Sequence, residues 1–222
     1  MDVHAKSSPP LHRSAVLLDI QCFKDNNNDY LLKEASVVNV NTGTLLLHHI
    51  ARAPFDRDLL SEDKLRESYW LTKHCHGLDW NRGDISYYLL MDKLRSCLAR
   101  RSIIYVKGSQ KKDFVQRHLV TDSTLTVVID MSDIGCGSLE STNNLLSSTS
   151  IRCGRHKSEQ SRCALTNCIV LRSWLLLTDN NNESLCNSLC FCCCPHHIQQ
   201  QQQDQSTEGI DTVDSILSSI LI

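Results

Sequence analysis

Apolar residues run along this chain in short blocks separated by polar punctuation, and the period of each block predicts its element. Ala15 to Ile20 is a brief continuous apolar run, the pattern of a strand buried on both faces. Asp25-Asn26-Asn27-Asn28-Asp29 reads as a turn. Tyr30 to Val40 and Thr44 to Ile50 read as further strands, joined by a hairpin turn within Asn39 to Gly43. Ser61, followed by Glu62 and Asp63, is a helix start. Ile85 to Ala99 reads as an amphipathic helix, whose apolar positions include Leu89, Leu90, Leu94, Cys97 and Leu98 and whose charged positions include Asp92, Lys93 and Arg95. Then come a strand at Ile103 to Val106, a short helix at Lys111 to Leu119 and a strand at Leu125 to Ile129. Gly135 to Ser150 is rich in Ser, Thr, Asn and Gly and reads as loop. Ala164 to Leu177 closes the series as a helix whose Leu165, Val170, Leu171 and Trp174 are placed to pack on a sheet. This order predicts an α/β fold, a mixed sheet flanked by helices.

Residues 1 to 13 read as a flexible leader and residues 14 to 178 as the folded domain. Past Thr178 come Asn180-Asn181-Asn182, a cysteine cluster and Gln199 to Gln203, a low-complexity tail over residues 179 to 222. Disorder is expected there to about Ser206, because polar tracts bury too little apolar surface to offset chain entropy. Ile210 to Ile222 has apolar spacing fit for a short amphipathic helix.

Composition narrows the function classes. With 222 residues there is room for one core of useful size plus tails. A formal net charge of -2 excludes a global basic field, so any nucleic-acid contact must come from a local patch. No apolar run reaches membrane-spanning length. Met1 to Arg13 has no apolar signal core, which places the expected location inside the cell, in cytoplasm or nucleus. Twelve cysteines are many, but Cys186, Cys190, Cys192, Cys193 and Cys194 crowd together, so reduced thiols or metal ligands are expected over a disulfide framework.

Asp19 ends the apolar part of the first strand and Gln21 follows two residues on. His76-Gly77-Leu78 precedes the amphipathic helix. Asp113 lies behind Gly108, Asp130 ends a strand, and Arg162-Cys163-Ala164-Leu165-Thr166-Asn167 opens the last helix. In order and pattern this series, from about Val16 to Leu177, resembles the RNase H-like 3'-5' exonucleases of the DEDD type. The resemblance implies a site with two divalent cations, Mg2+ or Mn2+, on strand-end and helix acids. The family's Asp-x-Glu pair falls on Asp19 and Gln21, which keeps a carbonyl oxygen but no charge. Its helix acid falls on Asp113, with Phe114 as the alternative register. Its His-x-x-x-x-Asp motif falls on Arg162 and Asn167. An arginine does not deprotonate water at neutral pH, and asparagine is a poor replacement for a metal-binding carboxylate. The expectation is therefore a catalytically impaired exonuclease-like domain that binds nucleic acid or a protein partner. The enzymatic alternative is a residual metal-dependent phosphodiesterase using Asp19, Asp113 and Asp130. It requires those carboxylates to converge. Apart from the resemblance, each of these acids reads as a capping or solvated residue.

Two clusters stand outside that motif set. Cys153-x-x-His156, with Cys163 and then Cys168, offers thiolate and imidazole ligands for Zn2+, Cys136 being another choice for the fourth place. The opposing reading is small buried thiols and a surface histidine. A zinc-stabilised interaction module is the third functional alternative. His74-Cys75-His76 reads as structural, since adjacent side chains diverge. Cys190 to His197 reads as soft-metal capture, S-acylation or a bland tail. Finally, Lys107, Lys111, Lys112 and Arg162, with Arg95, Arg100, Arg101 and Arg117 nearby, form a patch suited to single-stranded nucleic acid. Tyr87, Tyr88 and Tyr105 are available to stack on bases. Taken one at a time, these are residues of solvated faces.

Overall fold

The computed structural model describes residues 15–121, 124–145, 153–156 and 161–189. Three antiparallel strands come first: β1 (Ala15–Lys24), β2 (Tyr30–Asn39) and β3 (Leu45–Arg52). The β1–β2 turn is held by Asp25 Oδ1, which accepts from the amides of Asn27 and Asp29 at 2.8 and 2.9 Å, with Asn28 in the left-handed region. Helix α1 (Glu62–His74) follows. A two-residue strand, β4 (Ile85–Ser86), then runs parallel to the end of β3 and leads into α2 (Tyr87–Leu98). The chain continues through β5 (Ile103–Val106), α3 (Ser109–His118), β6 (Val127–Asp130), α4 (Leu139–Leu145) and α5 (Ala164–Leu189). The sheet order is β4-β3-β2-β1-β5-β6, with β1, β5 and β6 mutually parallel. It is the α/β arrangement expected from the sequence, a mixed sheet flanked by helices.

Strand β1 is central, which explains the apolar run from Ala15 to Leu18. On one face Val16, Leu18 and Ile20 pack with Leu90, Leu94 and Leu98 of α2 and Phe114 and Val115 of α3. On the other, Ala15 and Leu17 pack with Leu165, Cys168 and Leu171 of α5. By the two-residue alternation of a strand, Asp19 and Gln21 lie on this α5 side. On β1, strand β5 pairs with Ala15 to Leu17 alone, so β1 runs on past this neighbour. The β1–β2 register also slips between Gln21 and Cys22. Bulges of this kind re-aim side chains at strand ends. A crevice opens there, at the carboxyl ends of the parallel strands.

Buried polar groups tie the outer layer to the sheet. Lys33 Nζ donates to the carbonyls of Ala51 at 2.7 Å, Trp80 at 2.9 Å and Arg82, fastening the α1–β4 connection to β3. Gly83 is obligatory in that connection, because a Cβ there would sit 2.3 Å from the Ala51 carbonyl carbon.

Three elements depart from the pattern-based expectation. The loop expected over 135–150 contains α4, started by Ser138, whose Oγ accepts from the Ser141 amide at 3.1 Å. The helix expected from Ile85 begins at Tyr87, because Ile85 and Ser86 pair with Ala51 and Arg52 and Ser86 Oγ caps the Leu89 amide. Helix α5 continues past Thr178 to Leu189, a stretch that contains neither glycine nor proline to stop it. Residues 1–13, the glutamine run and the helix expected over Ile210 to Ile222 lie outside the described residues. Among the described residues no helix is long and apolar enough to cross a membrane.

Candidate functional site

Asp19 is fully buried and each of its carboxylate oxygens is engaged. Lys111 Nζ lies 2.5 Å from Oδ1. Asn167 Nδ2 donates to Oδ2 at 2.8 Å, and Gln21 Nε2 donates to the same oxygen at 3.2 Å. The local sequence explains how Lys111 arrives. Gly108, at φ 106°, turns the chain sharply from β5 into α3, and its amide donates to Asp130 Oδ1 at 2.9 Å. The first turn of α3 therefore starts beside the overhanging half of β1. Burial alone would lower the pKa of Lys111. The facing charge of Asp19 and the hydrogen bond to it outweigh that, and the pKa is raised.

The positions matched to the nuclease motifs are thus brought together in part. Gln21, Lys111, Arg162 and Asn167 line one cleft of about 260 Å³, together with Lys24, Tyr30, Glu67 and Leu71. Asp113 does not join them; its side chain is exposed on α3. Phe114 is buried in the core. Asp130 is occupied elsewhere: its Oδ1 accepts from the amides of Gly108 and Ser132, both at 2.9 Å. Burial acts to raise its pKa, but these hydrogen bonds, with Lys107 nearby, bring it below the ordinary carboxylate value. Asp19, Asp113 and Asp130 therefore do not form the convergent carboxylate set that the enzymatic alternative requires.

Two divalent cations do not fit this cleft. Hard cations need several oxygen ligands with negative charge among them. Here the one buried carboxylate faces an ammonium, and both neighbouring amides turn N–H groups toward it.

The basic residues expected to meet phosphate divide. Lys107 donates to Ser132 Oγ and to the Cys136 carbonyl, and so braces the loop after β6. Lys112 pairs with Asp133 at 3.2 Å. Lys111 is committed to Asp19 but still lines the cleft. Arg162 is exposed on the cleft wall, and among the described residues no carboxylate pairs with it.

A second constellation lies where β2, the 153–156 segment and the start of α5 meet. Glu34, Cys153, His156 and Cys163 place one ligand atom each within 4.8 Å of one another. Glu34 Oε1 is 3.2 Å from His156 Nε2, 3.6 Å from Cys163 Sγ and 3.8 Å from Cys153 Sγ. A tetrahedral ion with zinc-like bond lengths separates its ligands by about 3.3–3.8 Å. Each ligand is also aimed. The Ala164 amide donates to Glu34 Oε2 at 2.9 Å, and His48 Nε2 lies 2.9 Å from Oε1. His156 Nδ1 donates to the His76 carbonyl at 2.5 Å; burial would lower the pKa of this ring, but Cys163 and Glu34 outweigh it and raise it to about 10, so Nε2 holds a proton toward Glu34 that an incoming metal would displace. Backing by a carbonyl in this way orients metal-binding histidines. Both thiols are directed at Glu34 Oε1, and the proximity of the two sulfurs lowers the pKa of Cys163 while it raises that of Cys153. One of the two sulfurs is thereby readied as a thiolate ligand.

This corrects the fourth ligand. Cys168 is fully buried and turns its thiol to the carbonyls of Ser36 and Leu17, 3.4 and 3.9 Å away. Cys136 pairs with Thr142 instead. Glu34 takes the place that sequence reasoning gave to a cysteine. The available signal was Lys33-Glu34, two charged residues in the middle of an otherwise apolar strand. His76 contributes through its main chain, and its buried ring packs edge-on against Phe23.

Comparisons with known proteins give little sequence support. No family model and no curated protein sequence matches the chain. Among solved structures, a Mopeia virus exonuclease domain depleted of manganese aligns over 74% of this chain and 77% of its own, with TM-score 0.45 and 14% identity. The pseudoubiquitin hydrolase–RNA exonuclease module of Saccharomyces cerevisiae Pan2, in complex with AAGGAA RNA, aligns over 87% of this chain, with TM-score 0.39 and 14% identity. The match spans only 35% of the Pan2 chain. At this distance the chemistry has to be read from the residues of this chain itself.

Proposed function

We propose that this exonuclease-like domain binds single-stranded nucleic acid without cleaving it, and that a zinc ion stabilises the wall of its cleft. The observation that carries the reading is the saturation of Asp19 by Lys111, Asn167 and Gln21. Phosphodiester hydrolysis by two metal ions needs acids that accept metal and a base that accepts a proton. At the motif positions those roles fall to groups that donate, and Glu67, the carboxylate lining the cleft, is paired with Lys64. What remains is a polar cavity edged by Lys111 and Arg162, which suits a phosphate backbone better than an apolar partner.

The test is single-stranded DNA and RNA labelled at the 5' end, incubated with the protein and Mn2+, with binding followed by fluorescence anisotropy over a salt series. Intact substrate with salt-sensitive binding is expected. Shortening that disappears in Asp19→Ala would overturn the reading.

The zinc element rests on the aimed Glu34, Cys153, His156 and Cys163 set. Elemental analysis of purified protein should find about one zinc per chain, and the Glu34→Gln, Cys163→Ser variant should hold none. The two nearby thiols suit a reducing compartment, where they remain ligands and do not oxidise to a disulfide.

A further inference from the structure

We infer that the Lys111 ammonium takes over the electrostatic role of a divalent cation in this cleft, so that the domain captures a phosphate group independently of metal. The inference rests on the nucleic-acid-binding reading above and names the group that performs it.

A strand-end carboxylate that holds a cation, and a cation that holds a phosphate oxygen, form a two-step bridge. In this chain the cation is covalently part of α3. An ammonium has three N–H groups. One is directed at Asp19 Oδ1. The side chain is 22% exposed and lines the 260 Å³ cleft, which leaves donors to face a ligand. Asp19 is itself fixed from the other side by Asn167 and Gln21, so the ammonium is anchored and does not swing on a free four-carbon stem. Arg162 stands on the same cleft with no carboxylate partner among the described residues, and its planar fork suits a phosphate. Lys24, the other lysine lining the cleft, shares Glu67 with Lys64, at 3.8 and 2.7 Å, and so adds positive charge to the cleft without the anchoring that Asp19 gives Lys111. One phosphate is therefore gripped by Lys111 and Arg162 together. The cleft has room for about a single nucleotide unit, so the ligand is one strand of a nucleic acid and not a duplex.

The amides of Gln21 and Asn167 fit the same account. With a metal bound, their N–H groups would point at a carboxylate already shared with a dication. With an ammonium, they complete the solvation of a buried carboxylate that has lost its water.

The experiment measures binding of a labelled short oligo(dT) by fluorescence anisotropy. One arm uses buffer freed of divalent ions by chelating resin, which leaves a tightly bound structural zinc in place. The other arm adds millimolar Mn2+. Inorganic phosphate and thymidine monophosphate serve as competitors. The inference predicts the same affinity, within about two-fold, in both arms. It predicts a loss of about ten-fold or more in Arg162→Gln, and a similar loss in the paired variant Lys111→Met, Asp19→Asn. The paired variant removes both charges together, so its melting temperature reports whether the fold has survived. Competition by thymidine monophosphate but not by inorganic phosphate alone assigns the ligand as a nucleotide unit, as expected. Effective competition by inorganic phosphate at equal concentration overturns the nucleic-acid assignment. Binding that needs Mn2+, or that persists at full strength in the folded paired variant, overturns the inference and leaves the binding reading intact. No binding by the wild type in either arm removes the binding reading itself.

Discussion

Asn167 and Asp19 stand 148 residues apart in the chain and meet at 2.8 Å, with the amide nitrogen of Asn167 as the donor. Two acids at these positions would repel unless a cation lay between them. An amide and an acid attract directly. The contact between β1 and α5 has thereby become part of the core, and its variants have consequences for stability as well as for chemistry.

Lys111→Met should destabilise the domain by about 3–5 kcal/mol, since it leaves the Asp19 carboxylate buried without its countercharge. Adding Asp19→Asn should recover most of that loss. Urea denaturation of both single variants and the pair gives the coupling between the two sites. An additive result would mean that the pair contributes nothing beyond its separate parts.

Restoring acceptors should restore metal affinity. The combination Lys111→Asp, Gln21→Glu, Asn167→Asp surrounds Asp19 with carboxylates, which are the ligands hard cations require. Titration with Mn2+, followed by the paramagnetic signal of the free ion, should show binding in the variant and none in the wild-type cleft. Equal binding by both proteins would contradict the role given to Lys111.

Zinc removal should lower the melting temperature by several degrees, because the four ligands join β2, the 153–156 segment and the head of α5. Scanning calorimetry with and without a strong chelator measures this. An unchanged transition would show that the cluster carries no metal of structural weight.

The acid limb of the stability curve should depend on Asp84. Burial tends to raise its pKa, but His49, the Ile50 amide and Arg155 overcome that and bring it to about 2. The unfolded value is about 3.9. A depressed carboxylate stabilises the fold above the unfolded pKa, and that contribution fades as the pH falls from about 4 toward 2. Its side chain is one-third exposed, so the effect is modest. Asp84→Asn should therefore be less stable at pH 6, and its stability should fall less steeply than that of wild type between pH 4 and 2. Denaturation midpoints across that range compare the slopes.

The sheet was legible in the sequence because burial on both faces leaves an unmistakable mark: β1 is apolar from Ala15 to Phe23 except at Asp19 and Gln21. Helix α4 was hidden because its polar composition imitates a loop, and its cap is one serine among many. The cleft was legible only as positions. Asp19, Gln21, Arg162 and Asn167 could be ordered along the chain, but the partner of Asp19 could not. Lys111 reads as one of several surface lysines until the turn at Gly108 shows where it is delivered. Glu34 was missed for a similar reason. Its partners Cys153, His156 and Cys163 lie more than a hundred residues downstream, and no local spacing announces such a ligand.

Arg162, Cys163 and Ala164 are consecutive, yet they serve three different groups. The first presents its guanidinium to the cleft, the second turns its sulfur to Glu34, and the third gives its amide to the same carboxylate. The Arg162 amide is pinned in turn to the Cys75 carbonyl at 2.8 Å. This stretch of main chain works like the pivot of a balance with a thiol on one arm and a cation on the other. Three consecutive residues thus fasten the cleft wall, the Glu34 cluster and the α1–β4 connection to one another.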